Sequence, residues 1–222
     1  MSKLQSHKVL AGMHIAYTLI IVGILAALSA VLLLVRQRNT EPSPPPGALT
    51  SQSAPSSVKP ESQAIDSYSV PTTHPKYIAI PKIGIGNTPV LKLGLLGSRA
   101  IATPNNIYEA GWYDASSLPG QAGAMFIYGH VSSWTADGVF YNLKKLEAGD
   151  KIVITRGDNK KFTYQVNSTR IYPYDKVDMS QVLAPTNPGK SGLNLMTCTG
   201  QIIKNTSEFS ERLVVFTSLI NS

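Results

Sequence analysis

The hydrophobic residues of this chain form one continuous block near the N-terminus and a series of short runs after about residue 76. The block, residues 15–35, contains 21 consecutive residues without a charge. A helix of about 20 apolar residues crosses a bilayer core of roughly 30 Å. A cleavable signal peptide has a shorter apolar region, and this run continues for five residues beyond the small residues at 27–30. The pattern therefore predicts an uncleaved transmembrane signal anchor over 15–35.

Residues 36–75 are polar and rich in proline, and they separate this block from the rest of the chain. Eight of the 15 prolines fall here, among many serines and few large apolar side chains. Such a stretch buries too little apolar surface to offset the entropy lost on ordering. We therefore predict an extended, flexible tether over 36–75.

After the tether, short runs rich in Ile, Val, Tyr, Phe and Thr alternate with turn sequences, which is typical of β-strands. The runs are YIAIPKIGI, PVLKL, AMFIYGH, KIVIT, FTYQV, LNLMTC and LVVFTSLI. Seven or so strands in about 147 residues favour a single all-β barrel or sandwich over 76–222. One helix is predicted over 139–149 from the spacing of its apolar residues. These residues are Val139, Phe140, Leu143 and Leu146.

Composition and charge exclude several classes of site. The net charge is +7, but the basic residues are scattered and form no concentrated stripe, so nucleic-acid binding is not predicted. A single cysteine allows no internal disulfide and no cysteine-rich zinc site. Two aspartates, Asp175 and Asp178, are too few for a calcium site. We predict no metal and no cofactor.

The single cysteine, Cys198, ends the apolar run LNLMTC and is followed by Gly200. Free cysteine is among the most buried residue types, so one interpretation is a small core residue. The end of a strand, however, is where a loop begins, and loops on rigid scaffolds carry functional sites. At this point a nucleophile and a buried hydrophobic residue are equally consistent with the sequence.

A cysteine nucleophile needs a partner because an unperturbed thiol has a pKa near 8.5 and is mostly protonated at neutral pH. The usual partner is a histidine. Of the four histidines, His7 and His14 belong to the anchor region and His74 to the tether. His130, which follows the run AMFIYG, is the one that remains. Two such residues, each at a predicted strand end, favour a Cys198–His130 dyad over a structural role for either.

Stabilising an oxyanion is the third requirement of such chemistry. Arg212 opens the last apolar run and follows Cys198 by 14 residues, enough for one loop that returns to a neighbouring antiparallel strand. The pairing would place the arginine beside the cysteine. A surface arginine at a strand edge is the alternative.

Together these residues resemble the sortases, cysteine transpeptidases of Gram-positive-type cell envelopes. The resemblance is carried by GH at 129–130, by TC at 197–198 and by Arg212 before an apolar terminal strand. The family motif TLxTC is NLMTC here, with Asn194 where threonine is usual. The order of the GWY, PG, GH and F-x-x-L…GD elements within 111–150 is most similar to class F sortases, with class D or E as the near alternative.

The resemblance implies a closed eight-stranded β-barrel with short helices over 76–222, preceded by the transmembrane helix. It also implies a single-pass protein of the cell membrane. Residues 1–14 would lie in the cytoplasm and the catalytic domain outside it.

The resemblance further implies the roles of the site residues. Cys198 would attack an LPxTG-like sorting signal between threonine and glycine to form a thioacyl intermediate. His130 would be the general acid and then the base, and in this family the active form is a minority thiolate–imidazolium pair. Arg212 would bind the substrate backbone or the oxyanion, which Thr197 would also support.

The partners implied are sorting-signal peptides of surface proteins, an amine of a peptidoglycan precursor as acceptor, and the membrane. The segment before the Cys198 strand shapes substrate choice in the family. Val182, Leu183 and Ala184 are therefore candidate groove residues, with ordinary packing as the alternative.

Three other functions stay open from the sequence. A sortase that polymerises pilins often has a lid before the domain and a second span after it, and only the DSY at 66–68 suggests a lid here. A cysteine hydrolase or L,D-transpeptidase is a second alternative, although the SHGC-type motif is missing. The third is a membrane-tethered β-barrel binding module with a silent thiol.

Overall fold

The computed structural model describes residues 55–60, 67–97 and 100–222, which contain eight β-strands and three short helices. The strands are β1 Pro75–Ile80, β2 Ile85–Leu93, β3 Ala110–Tyr113, β4 Gly123–Gly129, β5 Lys151–Arg156, β6 Lys161–Pro173, β7 Ser191–Ile202 and β8 Phe209–Asn221. Two helices are 3₁₀ turns, Pro81–Ile83 and Leu143–Lys145, and the third is α1, Met179–Val182. The eight strands close into a barrel, as predicted.

No helix among these described residues has the length and hydropathy needed to cross a membrane. The predicted cytoplasmic segment 1–14 and the predicted transmembrane span 15–35 lie outside the described residues.

The strand order around the barrel is β1-β2-β3-β4-β7-β8-β6-β5, and β5 closes it against β1. Two neighbouring pairs are parallel, β2 with β3 and β4 with β7, and the others are antiparallel. Parallel neighbours need a long crossover, and β5, β6 and α1 all lie between β4 and β7 in the chain. The parallel pairing sets the C-terminal end of β4 beside Met196 of β7, which continues to Ile202.

Alternation along the strands divides the buried side chains between two clusters. In β7, Leu193 and Leu195 lie in the larger cluster, which fills the barrel. Met196 lies in a second cluster, which includes Met179 and Val182 of α1, and Cys198 is packed against that cluster. The cysteine therefore belongs to the outer face of the barrel wall.

The helix predicted over 139–149 is wrong, because the segment forms successive turns with a single 3₁₀ turn at Leu143–Lys145. Phe140, Leu143 and Leu146 are buried, so the apolar pattern is correct. The amides, however, bond to carbonyls three residues back, as from Leu143 to Phe140 at 3.0 Å. An i, i+3 spacing of apolar residues fits 3₁₀ turns as well as an α-helix.

Two further details of the strands differ from the pattern. The run YIAIPKIGI is two strands rather than one, because Pro81 has no amide to donate to a ladder and begins a 3₁₀ turn. Gly84 ends this turn with a φ of 76°. The short strand β3, with the sequence AGWY, was absent from the predicted strands since it has four residues and none that is β-branched.

Parts of the predicted tether contact the barrel. The Tyr68 hydroxyl donates a hydrogen bond to the Val90 carbonyl at 2.8 Å. The ring of His74 lies 5.0 Å from that of Trp112, measured between centroids. Near the start of the described chain, the Ser56 amide donates to the Asn105 carbonyl at 2.7 Å. Residues 36–54 and 61–66 of the predicted tether lie outside the described residues.

Asn194, the residue that departs from the family motif, holds the segment before β7 in place. Its Nδ2 donates to the carbonyl of Val182 at 2.7 Å and to that of Ala184 at 3.0 Å. The side chain is fully buried, and within the described residues its Oδ1 has no hydrogen-bond partner. A threonine hydroxyl has one proton and can satisfy only one of the two carbonyls.

We expect Asn194→Ala to lower the free energy of unfolding by about 1–3 kcal/mol, since two carbonyls lose their donor in a buried site. Asn194→Thr should fall between Asn194→Ala and the wild type. Urea unfolding of the purified protein measures both. Asn187→Ala is the control, because it removes an exposed 3.2 Å hydrogen bond to Ser218 and should cost no more than about 0.5 kcal/mol. Equal unfolding midpoints for Asn194→Ala and Asn187→Ala would contradict this role.

Candidate active site

The parallel pairing of β4 with β7 brings His130 and Cys198 to the same edge of the barrel. The register pairs Phe126 with Asn194 and Tyr128 with Met196. Continued by two residues, this register sets His130 level with Cys198.

Gly129, just before the histidine, lies against the turn at Phe140. An added Cβ at Gly129 would lie 2.5 Å from Cδ2 of the Phe140 ring, so a side chain has no room there. The adjacent His130 carbonyl accepts a hydrogen bond from the Phe140 amide at 2.9 Å. The GH pair is therefore fixed by packing and by this backbone bond.

Antiparallel pairing of β7 with β8 places Arg212 opposite Cys198 in the ladder. The sequence predicted this neighbourhood from the 14-residue separation, and the register confirms it. Arg212 is only 4% exposed. Its Nη1 donates to the carbonyls of Phe209 and Glu211 at 2.9 and 3.0 Å, and its Nη2 pairs with Glu208 Oε2 at 2.9 Å. The guanidinium is thus held by its own strand and loop.

Cys198 is half-buried, and its Sγ lies 3.1 Å from the Tyr128 hydroxyl. Burial raises the pKa of the Cys198 thiol above its ordinary value, and the charge of Glu208 also raises it. The positive charge of Arg212 and the hydrogen bond with Tyr128 act in the opposite direction. Because burial is the largest of these effects, the thiol is favoured over the thiolate in the free protein.

His130 is buried and oriented by a backbone carbonyl. Its Nε2 lies 2.8 Å from the Pro104 oxygen, which can only accept, so this nitrogen carries the proton in the neutral ring. Burial lowers the pKa of His130 below its ordinary value, and the bond to Pro104 partly opposes that shift. The other ring nitrogen, Nδ1, is then the one that can take up a proton.

Cys198, His130 and Arg212 all line one cavity of about 480 Å³. The structure therefore brings together the three residues that the sequence singled out. The loop after His130 contributes Trp134, which is 81% exposed, at the same cavity.

Residues 55–60 also contribute to this cavity, although they lie far from the barrel in the sequence. Pro55 and Ser57 are among its lining residues. Ser57 Oγ lies 3.0 Å from Ser133 Oγ, and the Ser56 carbonyl accepts from the Ile107 amide at 3.0 Å. Sequence reasoning missed this wall because the segment has no apolar pattern and reads as part of a tether.

Thr197 faces away from Cys198 because successive residues of a strand point to opposite sides. Its hydroxyl donates to the Gly129 carbonyl at 2.8 Å, so its single proton is engaged between β7 and β4. This contact ties the cysteine strand to the histidine strand. The predicted role of Thr197 in supporting the oxyanion stays a prediction. Its hydroxyl proton is already donated to Gly129 and is not free to bind an oxyanion.

The three candidate groove residues differ in their surroundings. Val182, the last residue of α1, is fully buried in the second cluster. Leu183 packs against that cluster from a partly buried position, and Ala184 is exposed. None of the three lines the 480 Å³ cavity within the described chain. All three groove assignments stay predictions, and the burial of Val182 argues against a direct contact between its side chain and a peptide.

Two residues that contact the reacting groups were not singled out from the sequence. Tyr128 precedes His130 by two residues and so lies on the same face of the chain, a spacing that would have marked it. Glu208 precedes Arg212 by four residues, but it lies in a loop where no periodicity links the two.

Comparison with known proteins places this geometry in a family. A family model described as the Sortase domain matches residues 78–220, which is more than half of the chain. A comparison with curated proteins finds no match.

Solved structures similar to this chain include three sortases. The pilus-related sortase C of Group B Streptococcus is 27% identical with a TM-score of 0.52, and the match covers 68% of this chain and 70% of that chain. Sortase C1 of Streptococcus agalactiae, in complex with MTSET, is 25% identical with a TM-score of 0.52, covering 70% and 73%. The sortase D5 transpeptidase of Clostridium perfringens is 28% identical with a TM-score of 0.49, covering 67% and 79%.

The match to the family spans the whole barrel from β1 to β8. It includes the cavity that holds the single cysteine, the histidine and the arginine. The family is one of enzymes, so a binding module with a silent thiol does not account for the chain. This protein belongs to the sortase family and is a sortase cysteine transpeptidase.

Proposed function

We propose that this transpeptidase cleaves an LPxTG-like sorting signal between threonine and glycine and transfers the surface protein to a cell-wall amine. One observation carries the proposal, namely that Cys198, His130 and Arg212 line one cavity. Cys198 Sγ attacks the threonine carbonyl, and the C–N bond to glycine breaks as His130 protonates the leaving amine. The incoming amine then gives its proton to His130 and displaces the sulfur from the thioester.

The opposite pKa shifts of the two residues support a minority ion pair as the active form. Burial raises the pKa of Cys198 and lowers that of His130, so the neutral thiol and neutral imidazole predominate between these values. The thiolate–imidazolium pair carries the same number of protons and is present as a small fraction over the same pH range.

Arg212 is placed to bind the substrate carbonyl. Its three described hydrogen bonds use Nη1 and one proton of Nη2, whereas a guanidinium has five N–H donors. Donors on Nε and Nη2 remain for the oxyanion. Pairing with Glu208 holds the planar group in one orientation, so little reorganisation is needed when charge develops.

The sortase class and the cellular location of the enzyme are further parts of the proposal. The order of motifs within 111–150 supports class F, and the uncharged run at 15–35 supports a signal anchor with the catalytic domain outside the cytoplasmic membrane. An anchored enzyme meets membrane-bound substrates at a raised effective concentration.

Pilin polymerisation is a second candidate, favoured by the similarity to a pilus-related sortase C. The two candidates differ in the acceptor, which is a peptidoglycan-type amine in one and a lysine side chain of another protein in the other. Product formation with triglycine, compared with that for a lysine-containing protein acceptor, separates them.

We expect Cys198→Ala and His130→Ala to abolish turnover of LPxTG-type peptides with triglycine or hydroxylamine as acceptor. Arg212→Ala should reduce kcat by about 10²–10³-fold, the usual effect of losing one oxyanion donor. Peptide cleavage by chromatography and thioacyl adduct by intact mass measure these effects.

Matched controls are His74→Ala and Arg170→Ala, which change a histidine and an arginine outside the cavity. Both should retain wild-type turnover. An adduct or turnover in the Cys198→Ala protein would overturn the mechanism.

We also expect a broad bell-shaped dependence of kcat/KM on pH. The acid limb should lie below pH 6.5, the ordinary pKa of histidine, because the pKa of His130 is lowered. The alkaline limb should lie above the ordinary pKa of cysteine, because the pKa of Cys198 is raised. Initial rates from pH 4 to 11 measure both limbs.

Glu208→Gln should move the alkaline limb to lower pH, since the charge of Glu208 raises the pKa of Cys198. Glu211→Gln is the control for loss of a nearby carboxylate. A limb that stays in place, or moves to higher pH, in Glu208→Gln would contradict this electrostatic assignment.

A further inference from the structure

Tyr128 touches the reacting sulfur but has no part in the steps described above. It lies on β4, its side chain is 3% exposed, and its hydroxyl is 3.1 Å from Cys198 Sγ. The rings of Tyr128 and His130 also meet in a T-shaped arrangement, with 6.1 Å between their centroids and 71° between their planes. One buried side chain therefore contacts both the nucleophile and its partner.

Either group of the Tyr128–Cys198 pair can be the donor by geometry, and their chemistry decides between them. A thiol S–H is a weak donor, whereas a phenolic O–H is a good one. Once Cys198 is a thiolate, the sulfur can only accept. Burial raises the pKa of Tyr128 well above its ordinary value, so the phenol keeps its proton across the working pH range.

The other cationic and protic groups nearby make no described hydrogen bond to the sulfur. The described hydrogen bonds of Arg212 go to Glu208 and to two backbone carbonyls, not to the sulfur. The Nε2 proton of His130 goes to Pro104. Within the described part of the chain, Tyr128 supplies the hydrogen bond to Cys198 Sγ.

We propose that Tyr128 is a catalytic residue whose hydroxyl donates a hydrogen bond to the Cys198 thiolate, stabilising it and orienting it for attack. The inference rests on the proposed function, in which Cys198 is the nucleophile. The thiol proton passes to His130, and Tyr128 keeps its own proton throughout. As the C–S bond forms, a sulfur lone pair moves to the carbonyl carbon and the hydrogen bond weakens.

The same contact acts again when the thioester is resolved. The amine attacks, the C–S bond breaks, and its electron pair returns to sulfur as the leaving thiolate. Tyr128 then donates to this leaving group, so one hydroxyl lowers the barrier in both halves of the reaction. A charge-assisted hydrogen bond of this kind is stronger than a neutral one.

Tyr128→Phe tests the proposal because it keeps the ring and its contact with His130 and removes only the hydroxyl. The chain has a single cysteine, so alkylation by iodoacetamide reports on Cys198 alone. We expect the pH midpoint of alkylation to move to higher pH, and the rate at pH 7 to fall about tenfold or more, the usual effect of losing a hydrogen bond to a charged group. The kcat for an LPxTG-type peptide should fall by a similar factor, with KM unchanged.

Tyr164→Phe is the control, since it removes a buried hydroxyl that bonds to Gly120 and Ser191 instead of the site. Its alkylation profile should match the wild type. An unchanged profile in Tyr128→Phe would overturn the proposal. A shift to lower pH would also overturn it, because the tyrosine would then be accepting from the thiol and stabilising the protonated form.

Alkylation needs no sorting signal, so the experiments can contradict the proposed substrate and the proposed Tyr128 contact independently. If the profile shifts in Tyr128→Phe but no LPxTG-type peptide is turned over by the wild type, the proposed substrate is wrong and the thiolate contact stands. If the wild type turns over the peptide and the profile does not move, the contact is wrong and the proposed function stands.

Discussion

The position of β7 between β4 and β8 is the constraint on which the active site depends. Its parallel register with β4 brings Cys198 level with His130, and its antiparallel register with β8 sets Arg212 opposite Cys198. A slip of one residue in either ladder would turn the cysteine toward the barrel interior. The alternation of Leu193 and Leu195 with Asn194 and Met196 prevents that slip, because it would bury the polar amide in the apolar core.

The groups around Cys198 shift the pKa of its thiol in opposite directions. Burial keeps the thiol protonated, and a thiol is oxidised less readily than a thiolate. Arg212 favours the thiolate, yet its pairing with Glu208 offsets part of that effect. The neutral hydroxyl of Tyr128 adds a donor without adding charge. The site therefore holds little thiolate in the free protein, and Arg212 and Tyr128 stabilise the thiolate once it forms.

Sequence reasoning failed where one local pattern fits two structures. The apolar spacing of Phe140 and Leu143 suits an α-helix, but the Phe140 amide bonds to the His130 carbonyl and the segment forms tight turns. In the sequence, Asn194 is only the residue that stands where the family motif has threonine. In the structure its amide donates to the carbonyls of Val182 and Ala184, a contact between residues 10 to 12 apart that no periodicity encodes.

The sequence by itself determined the all-β class, most of the strands, the three residues of the site and the family. Alternation, turn residues and the scarcity of cysteine and histidine are local properties, and they can be read along the chain. Only the tertiary structure decided that the Tyr128 hydroxyl meets the sulfur, that Glu208 pairs with Arg212, and that Pro55 and Ser57 line the cavity. These contacts join strand ends and loops whose meeting depends on how the barrel closes, so no spacing in the sequence specifies them.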